Sequence, residues 1–383
     1  MHLIGLLLFC FIFLFWIVQG LRVGRGALRL PHLANQVPSA ASGPSVSLVF
    51  AARDEQEKLP LALATLREID YPALEIIAVN DRSSDRTPVI LAGAAQRDAR
   101  LKIVNVETLP PGWLGKPHAL QRAYEVSTGE WLLFTDADVC FKPDALRRAM
   151  GMAESLRLDH LTLMGDVEMH GFWEKTALTF FALGFYIGTN PAAVSDRNSG
   201  AYLGVGAFQL VQRSAYKASG THRRLAMEVV DDLKLGKILK QAGFRSGVGL
   251  AGDYVSVRWH TGMGNIVRGV TKNFFAVAGY RTRVVAFQLA GIFCTNVLPF
   301  LALPFVHGWT RALAAASALI ALAAHAGTAR VMKVPRWYAL TQPLGAAIFA
   351  YMLLRSTVVT LRQGGVVWRD TFYPLDELRR GLV

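Results

Sequence analysis

The chain has 383 residues, of which 52% are hydrophobic, and its 41 Lys and Arg against 28 Asp and Glu give a formal net charge of +13. That much apolar sequence excludes an ordinary soluble enzyme. The three cysteines, Cys10, Cys140 and Cys294, sit at no metal-ligand spacing, which argues against a disulfide framework or a zinc site; with no nucleic-acid recognition motif in view, the positive charge fits an anionic membrane surface better.

From the N-terminus, Leu3 to Leu21 holds no Asp, Glu, Lys or Arg, close to the roughly 17 to 25 residues that a membrane-spanning helix needs. Arg22, Arg25 and Arg29 follow, so the positive-inside rule keeps that flank cytoplasmic and sends Met1 outward, making residues 1–21 an uncleaved anchor. Residues 22–44 are expected to be a linker, with 31–44, "PHLANQVPSAASGP", rich in Pro, Ser and Ala. An α/β domain is expected over 45–258. "SVSLVF" reads as its first strand, and "ARDEQEKLPLALATLREI" as a helix with Asp54 at the N-cap and Glu57 as its capping-box partner. "LEIIAVN" is a second strand, "DRSSDRTP" a turn, "VILAGAAQRD" a helix and "RLKIVNVE" a third strand. "KPHALQRAYEVS" is a helix ended by Gly129, and "WLLFT" a fourth strand. Strands alternating with helices predict a mostly parallel, doubly wound sheet, in which ligands bind beyond the carboxyl ends of the strands. Asp54, Glu55, Asp81, Asp136 and Asp138 all fall on that edge.

Residues 172–190, "FWEKTALTFFALGFYIGTN", fit either a core helix or a surface lying on the membrane. Residues 259–283 are expected to be an interfacial amphipathic helix: Ile266, Val270, Phe274 and Val277 share a face, with Arg268 and Lys272 off it. Three more stretches free of charge follow, Val284 to Thr310, Ala312 to Ala329 and Trp337 to Leu354, the last holding Pro343. They make 284–361 a C-terminal transmembrane region, followed by a basic tail over 362–383. Three later spans send the C-terminus outside, whereas the basic loop "ARVMKVPRW" and the basic tail both call for the cytoplasm, so the fourth segment is re-entrant or the rule fails there.

Several residues invite chemistry. Asp136 and Asp138 in "GEWLLFTDADVC" point to the same side of an extended segment, and two like charges that close suit a Mg2+ or Mn2+ ion that also binds substrate phosphates. An isolated D-x-D is more often a turn; the preceding "WLLF" and the shared edge favour a site. Asp81 is either a turn former or an acceptor for a base or ribose. Lys116 in "GWLGKPHAL" slightly opposes its helix dipole, yet beside free N–H groups it would meet a phosphate. Asp231 and Asp232 open a helix, as dipole-stabilising acids do, but with Glu228 they make three carboxylates within five residues. Crowding raises a carboxyl pKa, which improves a general base working near neutral pH. Arg258 and Trp259 are a packing pair, or a guanidinium for a leaving diphosphate and an indole for an acceptor.

Taken in order, these motifs resemble an inverting family 2 glycosyltransferase with the GT-A fold in its membrane-bound form, over roughly residues 45 to 280, about three fifths of the chain. The resemblance of "VSLVFAARDEQEKL" implies nucleotide contact by Asp54 or Glu55, and that of "IIAVNDRSSDRT" by Asp81. "GWLGKPHAL" is similar to the Gly-Lys motif, and "TDADV" to the metal-binding D-x-D, with Asp138 the more direct ligand and Asp136 beside it. "EVVDDLKLG" is similar to the E-D motif, which implies Asp232 as the base. In "VSVRW", Arg258 and Trp259 match a Q-x-x-R-W motif in which Val255 replaces the glutamine, a departure that weakens the case for processive synthesis. The family implies a nucleotide-sugar donor, a UDP-sugar ahead of a GDP-sugar; with the apolar stretches and the positive-inside rule, a multi-pass inner-membrane protein with a cytoplasmic catalytic domain is expected. A lipid alcohol such as a carotenoid, hopanoid or ceramide is the acceptor implied. Two other readings stay open, a processive polysaccharide synthase and a noncatalytic membrane protein that binds nucleotide sugars. The oligomeric state is left open.

Overall fold

The computed structural model describes residues 2–40 and 43–383. The chain forms two compact units: a helical unit of the residues up to Arg29, Met169–Asn190 and His260–Val366, and an α/β unit of Leu30–Glu168, Pro191–Trp259 and Val367–Val383.

In chain order, α1 (His2–Arg29) precedes β1 (Val46–Ala52), α2 (Leu59–Arg67), β2 (Leu74–Asp81), α3 (Thr87–Ala95), β3 (Leu101–Val106), α4 (Gly115–Val126) and β4 (Trp131–Asp136). Then come β5 (Val139–Phe141), α5 (Ala145–Ser155), β6 (His160–Val167), α6 (Gly171–Thr189), β7 (Gln209–Gln212), α7 (Arg213–Ala218), α8 (Asp231–Gln241) and β8 (Ser246–Val257). The eight strands make one sheet in the order β3-β2-β1-β4-β7-β6-β8-β5. The first four are parallel, β7 runs antiparallel to β4 and β6, and β5 antiparallel to β8. Strands such as "VSLVFAA" and "WLLFTD" are apolar without alternation because both sheet faces are covered. Leu48, Phe50, Ile76 and Leu133 pack into one layer, while Val49, Ile77, Leu132 and Phe134 pack into the other. Register sets the functional edge: Ala52 lies opposite Asn80 and Ala51 opposite Asp136, so β1, β2 and β4 deliver their following residues at one level. The expected α/β fold with a mostly parallel sheet is the one observed.

Local signals were overridden in places. Helix α2 starts at Leu59 rather than at Asp54, because Pro60 in the first turn fits a helix start and would interrupt a helix that began earlier. Asp54 instead takes a left-handed backbone, φ +54°.

In the helical unit, α1 continues through Arg22 and Arg25 to Arg29, so residues 22–29 are helical. The segment after β8 forms two short helices, α9 (Met263–Val270) and α10 (Phe274–Val277), rather than one. Ile266, Val270 and Phe274 are buried as their spacing predicts, but the break rotates Val277 outward, where it is exposed. The stretch Val284 to Thr310 is likewise not one helix: α11 (Thr282–Asn296) gives way to α12 (Leu298–Ala302). Pro299 has no N–H for the carbonyl of Thr295, and that carbonyl instead accepts the Trp16 indole N–H at 2.8 Å. Fifteen residues reach only about 22 Å, short of the ~30 Å hydrocarbon core. Among the described residues three helices are long and apolar enough to cross a membrane: Leu3–Arg29, α13 (Gly308–Val331) and Arg336–Gln363, whose main part is α14 (Gln342–Gln363).

Candidate active site

At the end of β4, Asp136 receives the Lys116 ammonium at 2.6 Å. Lys116 is the second residue of α4, so the helix start that β2 and β1 support points its side chain across the sheet edge. Asp231 and Asp232 open α8 on the other side; Asp232 Oδ2 accepts the Gly206 N–H at 3.0 Å and its Oδ1 the Leu233 N–H at 2.7 Å. Lys116, Gly206, Asp231 and Asp232 line one small pocket. Gly206 is there for space: a Cβ would stand 2.6 Å from Asp136 Oδ2 and 3.2 Å from Asp232 Oδ2.

The electrostatics follow from burial and this crowding. Burial opposes the Lys116 charge, but Asp136, Asp231 and Asp232 together raise its pKa, so it remains an ammonium. Burial raises the Asp232 pKa; Lys116 opposes that rise, while Asp231 and Asp136 add to it. The crowding expected from Glu228 comes from Asp231 and Asp136 instead: Glu228 is buried and paired with Lys234 at 3.1 Å.

Asp138 lies two residues beyond Asp136 in the turn but has a different partner. Lys58 Nζ donates to Asp138 Oδ2 at 2.7 Å, to the Arg258 carbonyl at 2.8 Å and to the Trp259 carbonyl at 3.1 Å. Burial raises the Asp138 pKa, Asp136 adds to the rise, and Lys58 counters it. Glu55 pairs with Arg369; burial raises its pKa too, against the pull of Arg369. The Arg258 guanidinium donates to the Glu168 carbonyl at 2.8 Å.

On the β1 and β2 side, Asp81 is held by Arg82 through two hydrogen bonds, 2.7 and 3.1 Å. Gly115 lets α4 come close, since a Cβ there would stand 2.5 Å from Asp81 Oδ2. Asp54 Oδ1 accepts the Ser84 N–H at 2.8 Å and its hydroxyl at 3.2 Å, bracing the acidic loop against the β2 turn. The structure thus gathers Lys116, Asp136, Asp231 and Asp232 at one point, Glu55, Asp138 and the Arg258–Trp259 backbone around Lys58, and Asp54 and Asp81 on the β1–β2 side. Sequence reading missed Lys58, Arg82 and Gly206. A basic residue straight after an acidic loop was a signal for Lys58; nothing local marks Gly206.

Among the described residues no three His, Cys, Asp or Glu side chains form a metal cage. Two hard carboxylates, Asp136 and Asp138, nevertheless match the donor set of a Mg2+ or Mn2+ ion that keeps waters and takes its other ligands from phosphates.

Residues 47–220 match the family profile described as Glycosyl transferase family 2. A 4,4'-diaponeurosporenoate glycosyltransferase of Staphylococcus haemolyticus is 25% identical over 232 residues, 60% of this chain and 60% of that protein. A beta-monoglucosyldiacylglycerol synthase of Synechocystis sp. is 29% identical over 209 residues, 54% of this chain and 42% of that protein. The match thus spans less than two thirds of either relative. The solved structure of a mannosyltransferase from Pyrobaculum calidifontis, in complex with GDP-Man and Mn2+, is similar over 94% of this chain and 98% of that one, with 20% identity and a TM-score of 0.57. Residues 47–220 are thus similar to glycosyl transferase family 2, and the sheet they belong to is of GT-A type.

Proposed function

We propose that the protein transfers a single sugar from a nucleotide sugar to a hydroxyl of a membrane lipid, with inversion. The observation that carries this reading is the Asp232 carboxylate, half-buried, raised in pKa and held by two backbone N–H groups beside Lys116 and Asp136 at the strand ends. A base so placed takes the acceptor's hydroxyl proton, the freed oxygen bonds to the anomeric carbon from the face opposite the diphosphate, and the carbon–oxygen bond to the nucleoside diphosphate breaks with its electron pair on the leaving group. Lys116, at a helix start with its N–H groups, meets the negative charge that grows there. Asp136 and Asp138 would hold a Mg2+ or Mn2+ ion, which supplies further stabilisation of the leaving diphosphate. Asp54, Glu55 and Asp81 face the nucleotide, and Arg258 and Trp259 border the acceptor side.

The lipid acceptor is supported by the three apolar helices and by the names of the carotenoid and diacylglycerol relatives. With residues 45–258 as the transferase domain facing the cytoplasm, 259–283 at the interface, and 1–21 and 284–361 as the membrane-embedded parts, the acceptor reaches the site from the bilayer. The test is nucleoside diphosphate release by detergent-solubilised protein given UDP- and GDP-sugars, Mg2+ or Mn2+, and lipid extract. Release for one donor, with label appearing in a lipid, supports the reading. Release with label in a growing polymer would replace it with processive synthesis, and nucleotide binding without release with the noncatalytic reading.

A further inference from the structure

Lys58 stands at the N-cap of α2, where a cation opposes the helix dipole and its side chain makes no cap hydrogen bond. Its position is explained by what its ammonium reaches instead. An ammonium has three donors, and Asp138 Oδ2, the Arg258 carbonyl and the Trp259 carbonyl take one each, at 2.7, 2.8 and 3.1 Å. These partners lie 80, 200 and 201 residues away in sequence, so Lys58 ties the D-x-D turn to the end of β8. The Asp138 side chain is 16% exposed and that of Lys58 34%, so the pair is only partly screened by solvent.

We propose that Lys58 is a resident cation on Asp138 that a divalent metal must displace, and that its displacement releases the Arg258–Trp259 backbone. The inference rests on the reading of Asp138 as a metal ligand. An ammonium and a divalent ion on the same carboxylate oxygen repel each other, so the arrival of one expels the other. Expulsion also removes the donor that holds the two carbonyls, so metal and donor binding loosen the segment next to the acceptor before the acceptor is engaged. Lys58 would thereby couple the two halves of the site, acting through Asp138 and the backbone rather than on substrate.

The test measures Mn2+ binding to the full chain in detergent by electron paramagnetic resonance, for wild type, Lys58→Met, Lys58→Gln and Asp138→Asn, with amide exchange over residues 257–262 as a second readout. Removing the competing charge is expected to tighten Mn2+ binding by about tenfold, the size of an ordinary coupling between sites, in whichever of the two Lys58 variants folds. In wild type, Mn2+ should speed exchange over 257–262; in the Lys58 variants exchange should be fast without it. Equal Mn2+ affinity in wild type and the Lys58 variants, with affinity lost in Asp138→Asn, would overturn the inference and leave the metal reading intact. Mn2+ affinity unchanged in Asp138→Asn would overturn both.

Discussion

The edge of the α/β unit and the interior of the helical unit both pair their polar groups, but they do so in opposite ways. At the sheet edge the groups are charged and paired with opposite charges, Lys116 with Asp136, Lys58 with Asp138 and Arg82 with Asp81. Inside the helical unit the polar groups are mostly neutral: the His325 ring lies 3.0 Å from the Thr179 hydroxyl, and Gln342 donates to Asn296 at 2.7 Å. Removing one member of a charged pair strands its partner, whereas a neutral pair replaced by carbon loses little. The first arrangement suits a site that must receive a charged donor; the second suits helix packing in a medium with no water to compete.

Lys116→Met puts that contrast under the greatest strain. It leaves Asp136, Asp231 and Asp232 without their shared cation, so nucleoside diphosphate release should fall by at least ~100-fold. Thermal unfolding in detergent should show a loss of about 2 kcal/mol, reduced from the buried-pair value because Asp136 is 40% exposed. Gly206→Ala should come next. Its methyl group enters the gap between Asp136 and Asp232, and transfer should drop by about 10- to 100-fold with the fold retained, as read by activity beside circular dichroism.

His160 sharpens the comparison because it is a titratable group that the α/β unit keeps neutral. Burial brings its pKa down to about 4 from 6.5, between Ser246 and Gln209. The unfolded chain therefore takes up a proton below pH 6.5 that the folded chain refuses until about pH 4. Stability should fall as pH drops through that window, by about 3 kcal/mol in all. His160→Gln should flatten the dependence in a pH series of melting curves. The smallest effect is expected in the helical unit, where Gln342→Leu should change stability by less than ~1 kcal/mol, as interhelical hydrogen bonds in membranes do. A loss as large as that from Lys116→Met would erase the distinction between the two regions.

Much of the α/β unit was readable because its central strands are continuous apolar runs that end in an acid, as β2 and β4 do, or are followed by one two residues on, as β1 is by Asp54, so that their shared edge declares itself. The start of α2 was misread because Asp54 and Glu57 look like a capping box while Pro60 decides the start. The 284–310 stretch was misread for a similar reason, since the absence of charge says nothing about where Pro299 interrupts the helix. The ion pairs were not readable at all. Lys58 and Asp138 are 80 residues apart, and only the register of β1 with β4 and the turn before α2 bring them together.

The most direct measurement compares wild type with Asp232→Asn in donor binding, nucleoside diphosphate release across pH and thermal stability. Because the Asp232 pKa is raised, the wild-type acid limb should lie above the ordinary carboxylate range. The folded state holds that proton at pH values where the unfolded chain has lost it, so the ionised group subtracts stability as pH rises through the window. Asp232→Asn should bind donor as wild type does, lose transfer by about 10²- to 10⁴-fold, and melt at a higher temperature at neutral pH. Transfer within a few-fold of wild type, with an unaltered acid limb, would contradict the assignment of Asp232 as the base.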